Sequence, residues 1–149
     1  MKYLLSALSL ILISFSSNAQ QAEKWKIVFN KKTVVQTSQE DTVKNVVRVT
    51  KKELDNGGIG KVLFEEDPNG IKGWKRSIAL YDLTGNPVMQ VDSATQMFFY
   101  NRDLMKILWT RKKVYVYTWN APTDIRMAAA IRIRRLHLCT FELLEDPIQ

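Results

Sequence analysis

The sequence contains a series of apolar segments that are too short for helices of ordinary length. They are rich in Val, Ile, Phe, Tyr and Trp, which favour strands, and turn-forming Gly, Asn, Asp and Pro separate them. The segments lie at residues 25–29, 34–35, 43–50, 60–65, 76–82, 88–91, 94–100, 112–119 and 131–144. About eight strands spaced by turn residues are typical of a β-sandwich or a β-barrel.

Two short helical turns are expected to interrupt the strands. Thr50 and Glu53 have the Ser/Thr-x-x-Glu spacing of a capping box. Asn101 is a candidate N-cap for residues 102–108, in which Leu104, Ile107 and Leu108 fall on one helical face. Each turn stands between two strands, which we interpret as a recurring way of crossing from one sheet to the other.

These elements predict an all-β fold: a two-sheet antiparallel β-sandwich, immunoglobulin-like or cupredoxin-like, of Greek-key type, with one or two short helical turns. A parallel sheet is disfavoured because each crossover needs about a dozen residues or more, usually as a helix, and only residues 101–110 approach that length. The chain has one Cys, so it lacks the disulfide that characterises antibody domains.

Residues 1–19 have the three-part layout of a secretory signal peptide. Lys2 supplies the positive start, residues 4–15 are apolar, and small side chains stand at Ser17 and Ala19. An uncleaved membrane anchor is the alternative, but a spanning helix needs about 20 apolar residues. No Cys follows the run, so we expect a protein that is not a lipoprotein and is exported, either periplasmic or secreted. Residues 20–149 are predicted to form a single domain without a transmembrane segment.

Charge bears on the kind of partner. Removing the leader takes away one of 22 basic residues, which leaves 21 against 15 acidic residues and a net charge of +6. Such a charge steers anions modestly. Because an exported protein rarely meets DNA or RNA, we expect no physiological nucleic acid partner; the expected partner is a protein or an acidic polysaccharide at the cell envelope. The sequence leaves the oligomeric state open.

Catalytic and metal chemistry has few candidates. His137 and Cys139 are the only His and the only Cys, and on a regular strand residues two apart face the same side. A blue-copper site needs a second His, and no nucleophile elbow or zinc-protease motif is present. We therefore predict no cofactor and no catalytic residue. A small metal carrier or enzyme centred on His137 and Cys139 is the alternative.

The most distinctive pattern combines aromatic and arginine side chains near the C-terminus. The aromatic residues of segment 112–119 alternate with Val and Thr, so they share one face of a strand. Arg132 and Arg134 share a face of the next predicted strand, and a β-bulge at Arg134–Arg135 would restore its alternation. The candidate binding residues are Tyr115, Tyr117, Trp119, Arg126, Arg132, Arg134 and Arg135.

Two interpretations of this pattern are open. In the first, guanidinium groups stack on the rings as a structural ladder. In the second, the rings and arginines form a binding face for sugars and for carboxylate, sulfate or phosphate groups. The resulting hypothesis is an exported, non-catalytic interaction module that binds a protein or an acidic glycan; a structural subunit of a larger assembly is a further possibility.

Overall fold

Backbone hydrogen bonds group the strands into two sheets, and side chains of the two sheets contact each other. The computed structural model describes residues 23–145; the signal peptide predicted at residues 1–19 lies outside the described residues. The strands are β1 (Lys24–Phe29), β2 (Lys32–Thr37), β3 (Val46–Val49), β4 (Ile59–Glu65), β5 (Trp74–Tyr81), β6 (Pro87–Asp92), β7 (Gln96–Tyr100), β8 (Lys113–Pro122) and β9 (Leu136–Leu143). The helices are α1 (Lys51–Asp55), α2 (Asn101–Arg111) and α3 (Ile125–Ala130). The prediction of a β-rich, two-sheet chain is confirmed.

The two sheets are open and differ in strand direction. The four-stranded sheet has the order β2-β1-β4-β7 and is antiparallel throughout. The five-stranded sheet has the order β3-β9-β8-β5-β6, and its edge strand β3 runs parallel to β9, with Val46 opposite Thr140. The prediction of purely antiparallel sheets is therefore wrong for this pair. The alternation of buried and exposed side chains has the same period in both kinds of pairing, so it does not encode strand direction.

The core lies between the sheets and is centred on Phe141 of β9. Its ring lies 5.9 Å from that of Phe29 and 5.5 Å from that of Phe99, which both belong to the opposite sheet. The indole nitrogen of Trp25 donates a hydrogen bond to the carbonyl of Leu138 across the same gap, at 2.9 Å. Aromatic packing and a buried, satisfied indole thus join the two sheets.

Helices α1 and α2 carry the chain between the sheets, as the sequence predicted: α1 leads from β3 to β4, and α2 leads from β7 to β8. The capping box of α1 is confirmed, because Thr50 Oγ1 accepts from the amide of Glu53 while Glu53 Oε2 accepts from the amide of Thr50. Helix α2 has 11 residues and is longer than the predicted turn. Within residues 23–145, no helix is both long and apolar enough to cross a bilayer.

Asn101 has a different role from the one its sequence position suggested. Tyr100 occupies the N-cap of α2 without a side-chain hydrogen bond, and Asn101 is the first helical residue. The Asn101 amide is fully buried and donates to Asn30 Oδ1 at 2.8 Å and to the Glu53 carbonyl at 3.1 Å. It therefore ties α2 to the β1–β2 turn and to α1.

Candidate functional site

The aromatic stripe predicted on β8 lies on the outer face of the five-stranded sheet. Val114, Val116 and Thr118 point into the core, and the alternating aromatic side chains are half-buried on the opposite face. These aromatic side chains are Tyr115, Tyr117 and Trp119. Neighbouring Tyr81 on β5 adds a fourth ring, whose centre lies 5.7 Å from that of Tyr117 and 6.3 Å from that of Trp119. Tyr81 was not predicted from the sequence. Every residue from Arg76 to Tyr81 is buried, so this part of β5 has no alternation of buried and exposed side chains that would assign Tyr81 to a face.

Arg135 is the arginine that contacts this stripe. Its guanidinium carbon lies 4.6 Å from the centre of the Tyr81 ring and 5.7 Å from that of Trp119. Arg132 and Arg134 had been expected to form the stacked row, but residues 131–135 are not part of a strand and β9 begins at Leu136. Because residues 131–135 do not pair with a neighbouring strand, their side chains need not alternate between two faces. The side chain of Arg135 lies over the aromatic rings.

The irregularity of β9 lies further along the strand than expected. Tyr117 pairs with His137 and Val116 pairs with Cys139, so Leu138 is the extra residue. The bulge predicted at Arg134–Arg135 is therefore wrong in position. The observed bulge at Leu138 also shows that the expectation of a shared face for His137 and Cys139 is wrong. His137 lies beside Tyr117 on the outer face, with ring centres 5.5 Å apart, whereas Cys139 is part of the core.

The surroundings of His137 and Cys139 give little support to a metal or nucleophilic site. His137 Nε2 lies 2.9 Å from Thr140 Oγ1, and the buried Nδ1 has no hydrogen-bond partner within the described chain. Burial lowers the pKa of His137, although the nearby Glu40 carboxylate opposes this. Burial raises the pKa of the Cys139 thiol. Among residues 23–145, no three His, Cys, Asp or Glu side chains are grouped to hold a metal ion.

Glu40 connects the arginine segment to the start of β9. Its Oε2 accepts from Arg134 Nη2 at 2.8 Å, and its Oε1 accepts from the backbone amide of His137 at 2.8 Å. The same stretch is held further along by a bond from the Thr140 amide to the Asn45 carbonyl. The backbone is thus held at His137 and Thr140, whereas the Arg134 side chain remains 81% exposed although it pairs with Glu40.

A cleft of about 360 Å³ opens beside this segment at one end of the sheets. We call it the arginine cleft. Arg132 and Arg134 line it together with Trp74 and Trp119. Arg132 is exposed and makes no ion pair with any acidic residue between positions 23 and 145. Arg126, the remaining predicted site residue, is exposed on α3 and is not among the residues that line the cleft.

The base of the arginine cleft is formed by Arg76, which the sequence analysis missed. Its side chain is only 4% exposed and donates to Glu23 at 2.6 Å, to Glu66 at 2.8 Å and to Thr118 at 3.2 Å. Its single positive charge is exceeded by these two carboxylates, and Glu23 also lines the cleft, so Arg76 organises the cleft and does not itself attract an anion. Arg76, Ile78 and Leu80 are spaced two residues apart and are all buried on β5. A charged residue in line with two apolar ones is unusual, and this sequence signal could have indicated that Arg76 is buried and paired.

No protein-family model matches this chain, and no curated protein or solved structure is significantly similar to it.

Proposed function

We propose that this protein is an exported, non-catalytic interaction module that binds an acidic polysaccharide in the arginine cleft. In this proposal the scaffold is a Greek-key sandwich of immunoglobulin-like or cupredoxin-like kind, modified by the parallel β3–β9 edge. Export is supported by the signal-peptide layout of residues 1–19. The observation that carries the binding proposal is that two exposed arginines and two indole rings line one cleft.

The chemistry of these side chains suits a charged sugar. An arginine guanidinium group can bind a carboxylate or sulfate through two parallel hydrogen bonds. A half-exposed indole offers a flat apolar surface with a polar edge, which suits the C–H face of a sugar ring. Trp119 is held in place because its ring packs against Tyr81 and Arg135, so little side-chain freedom is lost on binding.

The electrostatics favour weak, salt-sensitive binding. Arg134 already contacts Glu40, so an incoming anion competes with that carboxylate. Arg132 is the stronger candidate for a direct contact, because the described residues provide it with no acidic partner. Since both side chains are exposed, we expect the interaction to weaken as ionic strength rises and the Debye length falls below about 10 Å.

Retention on an immobilised acidic polysaccharide across a salt series tests the proposal. We expect wild-type protein to be retained at low salt, and the double variant Arg132→Gln/Arg134→Gln to elute at clearly lower salt. The double variant Lys51→Gln/Lys106→Gln is the matched control, since it removes the same charge from exposed sites that do not line the cleft. Equal elution of the two variants would mean that net charge alone causes retention.

Competition separates the two chemical classes of ligand. A soluble acidic polysaccharide should release the protein at a lower carboxylate concentration than polyglutamate does, because polyglutamate offers carboxylates without sugar rings. If polyglutamate competes equally well, the indole rings contribute nothing and the ligand is an acidic protein segment instead.

A further inference from the structure

Strand β7 is an open edge of the four-stranded sheet. The strand order β2-β1-β4-β7 ends there, so among residues 23–145 β7 pairs on one side only, with β4. Its inward side chains, Met97 and Phe99, are buried in the core, whereas Phe98 is 49% exposed and Tyr100 is 62% exposed. The described part of the chain therefore leaves one side of this strand open to solvent.

The hydrogen-bond pattern shows which backbone groups the open edge presents. The Thr95 carbonyl accepts from the Phe64 amide at 2.8 Å, and the Asn101 amide donates to the Gly58 carbonyl at 2.9 Å. In an antiparallel pair, residues that bond to the partner strand alternate with residues whose N–H and C=O groups point the other way. The odd-numbered residues of β7 thus bond to β4. The residues that turn their backbone groups toward the free edge are Gln96, Phe98 and Tyr100.

The other three edge strands of the described chain carry features that oppose pairing with a further strand. Strand β2 contains Lys32 and has an irregular register with β1. Strand β3 has only four residues and contains Arg48, and β6 begins at Pro87 and ends at Asp92. Strand β7 has no charged residue and no proline, and its register with β4 is continuous. Such an unprotected edge favours pairing with another strand.

We propose that β7 pairs with β7 of a second copy of this chain, so that the two four-stranded sheets become one continuous sheet. A row of free N–H and C=O groups is satisfied by the edge of another strand. Because β7 is the one unprotected edge among the described residues, its best match in a second copy is the same strand. A symmetric antiparallel register places Phe98 opposite its own counterpart and provides about four to six backbone hydrogen bonds.

The surroundings of β7 make this dimer weak and closed. Lys61 of β4 extends over Phe98, with its Nζ 5.4 Å from the centre of the ring. In the dimer the two Lys61 side chains lie on the same face of the sheet and repel each other, and salt screens this repulsion. Paired strands of five residues cover a small area, so association is reversible. Because both copies use the same surface, assembly stops at two.

Sedimentation equilibrium of the wild-type protein at concentrations up to about 1 mM tests the proposal. We expect a monomer–dimer equilibrium that tightens as salt rises, whereas retention on a polysaccharide weakens. Phe98→Lys should abolish the dimer, because it places a charge on the edge. Val88→Lys is the matched control: it adds the same charge to an exposed position of β6 and should change the dissociation constant by less than about threefold. The N-terminal residue should first be identified by mass spectrometry, because an uncleaved apolar leader would itself cause association.

A second pair of variants tests the backbone hydrogen bonds. Phe98→Pro and Phe98→Val both remove the ring, but only proline removes the N–H at the free edge, and that N–H does not bond to β4. We expect the proline variant to dimerise at least about tenfold more weakly than the valine variant, since each dimer loses two hydrogen bonds. Urea unfolding checks that both variants fold, and if the proline variant does not, the two lysine variants decide.

Four outcomes overturn the proposal: a monomer at every concentration, growth beyond the dimer, equal losses from Phe98→Lys and Val88→Lys, or equal dimerisation of folded Phe98→Pro and Phe98→Val. The proposal does not depend on the arginine cleft, because no residue of β7 lines it. A failure of the glycan experiment therefore has no bearing on these readouts.

Discussion

The guanidinium group of Arg76 lies 3.8 Å from the centre of the Phe64 ring, and Phe64 in turn stacks on Trp25 with ring planes only 3° apart. A buried cation thus closes one end of the aromatic core. Its hydrogen bonds to Glu23, Glu66 and Thr118 satisfy the charge. The same group supports the base of the arginine cleft, so stability and the candidate site share this residue.

Replacing Arg76 by alanine should destabilise the protein by about 2–4 kcal/mol, because the change leaves two carboxylates and the Phe64 ring without their partner. Urea unfolding at neutral pH measures the difference. Arg102→Ala is the control, since that side chain is 74% exposed and its ion pair with Asp103 should contribute less than about 1 kcal/mol. Similar unfolding midpoints for the two variants would contradict the role assigned to Arg76.

Gly60→Ala should destabilise the fold by about 1–3 kcal/mol, because the added methyl group would overlap the buried ring of Phe99 on the neighbouring strand. The double variant Gly60→Ala/Phe99→Leu tests the cause. If the clash is responsible, the two substitutions should be non-additive by about 1 kcal/mol in the direction of rescue. Strict additivity would point to another effect of the glycine.

Arg135→Ala should lower the free energy of unfolding by about 1 kcal/mol, since it removes the cation stacked on Tyr81 and Trp119. Arg126→Ala, on the exposed helix α3, should change stability by less than about 0.5 kcal/mol. Thermal or urea unfolding of the two variants makes the comparison. If Arg135→Ala is neutral for stability, the structural-ladder interpretation loses its support.

His137 should titrate below its ordinary pKa of 6.5, because burial disfavours the imidazolium form. The unfolded chain then binds a proton more readily than the folded chain. Stability from this group is therefore complete above about pH 6.5 and is lost as the pH falls toward the folded pKa. The only imidazole in the sequence gives a single NMR titration curve.

Unfolding measurements complete the pH test. Wild-type stability should fall more than that of His137→Gln between about pH 7.5 and pH 5.5, because the variant lacks the titrating group. A titration midpoint at or above 6.5, or parallel pH profiles for the two proteins, would contradict the assignment.

Cys139 should be inert toward thiol reagents in the folded protein. It is fully buried, and burial raises the pKa of its thiol, so little reactive thiolate is accessible. Reaction with a chromogenic disulfide should become fast only in denaturant, where one equivalent is released. Rapid release of one equivalent under native conditions would show that the thiol is accessible.

Local patterns predicted the parts of this fold that depend on neighbouring residues. The capping box of α1 needs only Thr50 and Glu53, which lie within one helical turn. The aromatic stripe of β8 follows from alternation along a single strand. The crossing of the chain from one sheet to the other at α1 and at α2 also agrees with the sequence pattern of strand, helix and strand.

The candidate site was predicted only in part, because its geometry depends on distant pairings. The sequence indicated the aromatic row, but not that Arg135 would contact it while Arg132 and Arg134 line a cleft. That difference arises because ladder hydrogen bonds to β8 begin at Leu136. The role of Arg76 depends on Glu23 and Glu66, which the fold brings beside it from other parts of the chain, so its position in the sequence does not reveal its partners.

Local sequence patterns established the β-rich class and the two faces of β8, and the composition restricted the chain to one His and one Cys. The parallel direction of β3 against β9 follows only from the folded structure, as does the extra residue at Leu138, which turns His137 and Cys139 to opposite faces. The physical reason is that alternation reports which side of a strand is buried. Strand direction and register are instead chosen by backbone hydrogen bonds between segments that are far apart in the chain.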